Sequence, residues 1–129
     1  MSHFSTVKTE LRDLEALVGA LTDLGHPPQL GAQQVRGYRG QTVTADLTVD
    51  QANGADIGFR LNEATGSYEL VTDLDLWNQQ VPVERFLNQL SQRYALRSIL
   101  SATADKGFQV SEQTNHDDGS IELVVTRWA

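Results

Sequence analysis

Thr42-Val43-Thr44-Ala45-Asp46-Leu47-Thr48-Val49-Asp50 decides the architecture, because its apolar and polar residues alternate one for one. Successive side chains of a strand point to opposite faces, so this period of two marks a half-buried β-strand. The stretch puts Val43, Ala45, Leu47 and Val49 on one face and Thr42, Thr44, Asp46 and Thr48 on the other. The same pattern recurs downstream. Asn53-Gly54 supplies a turn, since both residues accept positive φ. Ile57, Phe59 and Leu61 then alternate with Asp56, Gly58 and Arg60. After a second turn at Glu63-Ala64-Thr65-Gly66, Tyr68, Leu70, Thr72, Leu74 and Leu76 alternate with Glu69, Val71, Asp73, Asp75 and Trp77. Upstream, Gln33 to Tyr38 reads as a further strand ending near Gly37 to Gly40. One-sided alternation of this kind predicts an antiparallel sheet with one wet face and one covered face.

Two helical segments supply the cover. Leu14, Leu17, Val18, Leu21 and Leu24 recur at helical spacing. Asp13 is placed to cap that helix and Gly25 to end it, ahead of Pro27-Pro28. A second helix starts at Pro82 and carries Val83, Phe86, Leu87, Leu90 and Tyr94 in phase. Ile99 and Leu100 fall out of step with that stripe, which predicts a bend or a new helix near Leu96. Phe4 to Leu11 reads as a first strand, because β-branched Thr6, Val7 and Thr9 disfavour helix; an early start of the first helix is the alternative. Phe108 to Gln113 and Ser120 to Arg127 flank a hairpin turn at Asn115 to Gly119. The expected class is α+β: a mostly antiparallel sheet with helices on one face, in the order β-α-β-β-β-β-α-(α)-β-β.

The chain has 129 residues, of which 40% are hydrophobic and 21% charged, which suits one domain over residues 1–129. It has no cysteine, so disulfides, thiolate nucleophiles and cysteine-ligated metals are excluded. No apolar run is long enough to span a membrane and no signal peptide is seen, so a cytoplasmic address is expected. The formal net charge of -7 makes nucleic acid an unfavoured partner. Residues 41–80 hold seven acids, Asp46, Asp50, Asp56, Glu63, Glu69, Asp73 and Asp75, against the single base Arg60. That segment is where an electrostatic partner preference would originate, or else a solvated sheet face.

Candidate sites are few. On a continuous strand, Asp73 and Asp75 would share a face with Trp77 beyond them, able to hold a cation or accept a partner's arginine. Solvated strand-end carboxylates are the plainer explanation. Arg36-Gly37-Tyr38-Arg39-Gly40 is a turn carrying two arginines. Asp73, Asp75, Trp77, Arg36 and Arg39 are therefore the expected partner-binding residues. The alternative is a small-molecule or metal site drawing on His3, Asp73 and Asp75, although His3, His26 and His116 lack ligand spacing. Arg85, Arg93 and Arg97 lie along one side of the second helix, facing solvent or the acidic sheet. Trp77 and Trp128 sit near element ends, as contact anchors or as closures of a core edge. No phosphate-binding glycine loop, nucleophile elbow or zinc-protease motif occurs, and no cofactor or catalytic residue is expected.

Several blocks in order carry a family likeness. Met1 to Ser5, Val35 to Gln41, Asp56 to Arg60, Tyr68 to Trp77, Gln92 to Ala95 and Val124 to Trp128 together resemble the Ycf-thirty-five family of algal plastids and cyanobacteria. His26 to Gln34 and Gln51 to Ala55 fall outside the likeness and read as variable loops. The resemblance implies a cytoplasmic or stromal address in a photosynthetic organism and brings no catalytic residues. It also implies, as one alternative, an accessory subunit of an AAA-type ATPase. The leading expectation is a non-catalytic binding or regulatory protein with a protein partner; a structural homo-oligomer is a third option.

Overall fold

The computed structural model describes residues 4–105, 108–117 and 120–127. Its elements run β1 (Phe4–Lys8), α1 (Leu14–Asp23), β2 (Gln29–Arg36), β3 (Thr42–Asp50), β4 (Asp56–Asn62), β5 (Ser67–Asp73), α2 (Val83–Asp105), β6 (Phe108–Asn115) and β7 (Ile121–Arg127). Short 3-10 turns occupy Tyr38–Gly40 and Leu74–Leu76. β1 to β5 form one sheet in the order β1-β5-β4-β3-β2, every neighbouring pair antiparallel. This is the α+β architecture that the alternation predicts. Among the described residues, no helix is long and apolar enough to cross a membrane.

The helices cover the face that carries Leu47, Val49, Ile57, Phe59 and Leu70, which cluster with Leu17, Ala20 and Leu21 of α1 and Phe86 and Leu90 of α2. Phe59, Leu70 and Leu90 are completely buried, and each side chain so removed from water contributes about 1.5–3 kcal/mol. α1 begins where the Asp13 carboxylate accepts the Ala16 amide at 2.9 Å. It ends at Gly25, whose φ of 86° lets the His26 amide turn back to the Leu21 carbonyl at 2.8 Å. The buried stripe includes Ala16 and Ala20, while Leu14 at the first turn is left exposed.

Several boundaries differ from expectation, each for a local reason. β1 stops at Lys8, after which the Thr9 hydroxyl donates to the Tyr68 carbonyl and carries the chain off the sheet edge. β2 begins at Gln29, inside the stretch expected to be loop. Its pairing with β3 slips between Leu30 and Gln33, where Gly31 takes a φ of 90° and forms a bulge. Gln51, expected in a variable loop, is buried and accepts from the Asn78 amide and the Gln79 side chain. β5 ends at Asp73, not Leu76, because the Asp73 carboxylate accepts the Asp75 amide and starts a 3-10 turn. α2 is one unbroken helix through Leu96, with neither glycine nor proline inside it. The phase shift near Leu96 reflects a change of neighbour. Phe86 and Leu90 pack in the sheet core, Leu96 is buried beyond it, and Ile99 stays exposed. β6 and β7 pair with each other as a separate two-stranded sheet that contacts α2.

The face expected to be wet is partly covered. Gly58 lies between Ile57 and Phe59 and so points away from the main core. A Cβ placed on it would meet Val35 Cγ2 at 2.3 Å and the Ala45 methyl at 3.1 Å. β2 therefore curls across β3 to lay Val35 on Gly58, and Val35 is completely buried there. The curl breaks the alternation of β3 at Asp46. Leu47 keeps its pairing with Phe59, whereas Ala45 turns to the opposite side, and the Asp46 carboxylate accepts the Leu61 amide at 2.7 Å.

Candidate functional site

In the acidic middle of the chain, Asp50 and Asp56 both pair with Arg36. Asp56 is 2% exposed and accepts three bonds from Arg36: the backbone amide at 2.7 Å and the guanidinium Nε and Nη2 at 2.9 Å each. Burial works to raise its pKa, but the Arg36 bonds outweigh it and hold the carboxyl below the ordinary range. Arg36 thus anchors β2 through Asp56 while its side chain stays 51% exposed. On the same face Glu69 stands between Lys8 and Arg60 in the strand register and accepts from the Asn62 side-chain Nδ2. Asp46 is bound to a backbone amide, as described above.

Asp73 and Asp75 do not share a strand face, because the strand ends between them. Asp73 is 2% exposed and serves as a strut. One carboxylate oxygen accepts the Asp75 amide at 3.2 Å and the other the Tyr38 amide at 3.3 Å. It thereby fixes two turns side by side, Tyr38-Arg39-Gly40-Gln41 and Leu74-Asp75-Leu76. Phe4, paired with Asp73 across the β1–β5 register, seats its ring on the Gly37 backbone. A Cβ at Gly37 would meet that ring at 2.7 Å, so only glycine permits the approach.

The first of these turns carries an anomaly. The Gln41 amide bonds the Tyr38 carbonyl at 3.1 Å, and both central residues have positive φ, 53° at Arg39 and 75° at Gly40. That geometry is the type I′ hairpin turn, whose first central position favours Asn, Asp or Gly. Arg39 is the only non-glycine residue with positive φ among the described residues. Its guanidinium lies 5.2 Å from the centre of the Tyr38 ring, and Arg39 itself is exposed. Leu74, 39% exposed, and the exposed Asp75 complete the corner.

Trp77 belongs elsewhere. Its indole N–H donates to the Val81 carbonyl at 2.8 Å and its ring meets Phe86 edge-on, so it closes the helix-side core. His3 and Trp128 lie outside the described residues. His26 packs edge-on against Phe86, and His116 lies 3.0 Å from Glu122. No group of three or more His, Cys, Asp or Glu able to hold a metal occurs among the described residues. Arg93 and Arg97 pair with Asp23 of α1, not with the sheet. The Arg97 hydrogen bond is the main cause that lowers the Asp23 pKa to about 2, with Arg93 adding to it against the effect of burial. Sequence reasoning could have found the strained turn, since Arg-Gly stands where Asn-Gly is the usual pair. It could not have found Asp73 as the strut, which depends on pairing across 35 residues.

The family described as a protein of unknown function (DUF1257) matches residues 20–124. Among curated proteins, the chain is similar to "Uncharacterized protein ycf35" of Guillardia theta, at 43% identity over 99% of this chain and 98% of that one. The proteins of the same name from Cyanophora paradoxa and Pyropia yezoensis are 44% and 41% identical over the same shares. No solved structure matches the chain.

Proposed function

Starting from the fact that the chain belongs to the DUF1257 family of proteins of unknown function, we propose that it is a non-catalytic binding or regulatory protein whose contact surface is the corner built by Asp73. The observation that carries this reading is Arg39 in a left-handed conformation. A non-glycine residue there costs about 1 kcal/mol, and such strain persists where the displayed side chain has a use. The corner offers a guanidinium stacked on Tyr38, an exposed Leu74 and the Asp75 carboxylate within one small area. Cation, apolar knob and acceptor together suit a protein partner presenting a carboxylate beside an apolar pocket. Net charge of -7 argues against nucleic acid as that partner. The names of the relatives support a setting in plastid stroma or its cytoplasmic equivalent.

The test compares wild type with Arg39→Asn in pull-downs from native lysate. Asn suits the type I′ position, so the variant should melt at the same temperature or higher while its specific partner is lost. Equal capture by both proteins, or no specific capture by wild type, would sink the reading. An ATPase subunit in the wild-type eluate would identify the accessory-subunit form of the same role. Metal analysis and a thermal-shift screen of small ligands address the small-molecule alternative, since a ligand of the native state raises its melting temperature.

A further inference from the structure

On the helix side of the sheet, α1 and the second half of α2 wall an open cleft of about 710 Å³, a size in the range of small-ligand sites. Its apolar wall is Ala16 and Leu96, both buried, with Leu100 half-buried beside them. One end is set by Asp23, Arg93 and Arg97, where two guanidiniums share one carboxylate. Arg93 donates to Asp23 through Nε alone, at 2.9 Å. Arg97 donates through Nε at 2.8 Å and Nη2 at 2.5 Å, the side edge of its fork. The terminal edge of each guanidinium, formed by Nη1 and a further N–H of Nη2, makes no hydrogen bond among the described residues. The missing side chain of Gly19 sets the plane of the second fork. A Cβ there would meet Arg97 Nε, Cζ and Nη1 at 3.1 Å each, so that guanidinium lies flat on the backbone of α1.

Charge and surface together select the ligand. Arg93, Arg97 and Asp23 sum to one positive charge, in a chain whose net charge is -7. The other acids of the cleft, Asp13 and Glu15, belong to the opposite end of α1, about 12–15 Å away at a rise of about 1.5 Å per residue. Among the described residues neither forms an ion pair with Arg93 or Arg97. The surplus positive charge disfavours a metal ion or an ammonium at the arginine end. A phosphate monoester, at about -1.5 to -2, would overshoot that surplus. A carboxylate matches it with one charge, and its two oxygens fit the parallel N–H pair of a terminal guanidinium edge. The wall at Leu96 and Leu100 calls for hydrocarbon beyond the carboxylate, since a polar group placed there would leave water without gaining a partner.

We infer that this cleft binds a small aliphatic monocarboxylate, its carboxylate on the terminal edges of Arg93 and Arg97 and its chain along Leu96 and Leu100. Hexanoate, titrated into the full chain by ¹H–¹⁵N NMR, should give saturable shifts centred on the amides of Gly19, Leu96 and Leu100 and on the Nε–H of Arg93 and Arg97. Hexanol and hexylamine lack the carboxylate and should bind on the order of tenfold more weakly, or not at all. Acetate lacks the chain and should lose at least as much. Arg93→Gln should weaken hexanoate on the order of tenfold, while Arg97 keeps both of its bonds to Asp23 and so keeps the two helices clamped. Leu100→Ser should narrow the gap between hexanoate and acetate and leave acetate itself unchanged, a split that general loss of structure would not produce. Equal binding by hexanol or hexylamine, shifts that never saturate or that map elsewhere, or an unaltered hexanoate affinity in either variant would overturn the assignment.

Discussion

Single carboxylates in this protein repeatedly tie together segments far apart in the chain. Asp56 fixes Arg36, Asp73 fixes Tyr38, and Asp23 at the end of α1 holds both Arg93 and Arg97 of α2 at 2.8–2.9 Å. The last of these has a pH signature. The Asp23 carboxyl titrates at about 2, below its ordinary 3.8. A depressed carboxyl stabilises the fold above its unfolded value and loses that contribution as pH falls through the folded one. Asp23→Asn should therefore cost about 1 kcal/mol at pH 7, a modest value because both arginines are partly exposed. The gap from wild type should shrink between pH 4 and pH 2, as read by urea unfolding at each pH. A gap of the same size at pH 2 would show that the ion pair contributes nothing. Arg39 is the counter-example, a residue whose local geometry favours its replacement.

The curl of β2 is an element-level property resting on one missing side chain. Gly58→Ala would drive a methyl into Val35, and overpacking of this kind costs about 1–3 kcal/mol. Trimming the opposing residue should recover most of that loss. In Gly58→Ala/Val35→Ala the coupling between the two sites should be about 1 kcal/mol or more, measured as a double-mutant cycle by denaturant unfolding. Simple additivity would mean that β2 does not rest on Gly58. This contact also marks the limit of what the sequence discloses. Strand alternation, the Asp13 cap and the Gly25 stop are local signals, and those elements appear where the residues predict them. The bulge at Gly31 and the break at Asp46 depend on partners in other strands. No window of neighbouring residues contains that information. The candidate site divides the same way. Arg39 and Gly40 announce a special turn by their types, while the strut below it, Asp73, emerges only from a contact across 35 residues.

In the assembled sheet, β4 is central, with β5 and β1 on one side and β3 and β2 on the other. Amides of Ile57 to Phe59 should exchange with solvent slowest, those of β1 and β2 fastest among the five strands, by native-state hydrogen exchange. Uniform protection across the sheet would contradict the burial gradient. The sheet order also imposes a schedule on synthesis. The first strand made, Phe4–Lys8, finds its neighbour only in β5, where Phe4 lies opposite Asp73. At translation speeds of 5–20 residues per second, β1 waits roughly 3–14 s for that mate to be made. Early in that interval neither β4 nor β5 exists, so α1 lacks the sheet face it later covers, and the first strand pair a ribosome-bound chain can form is the β2–β3 hairpin.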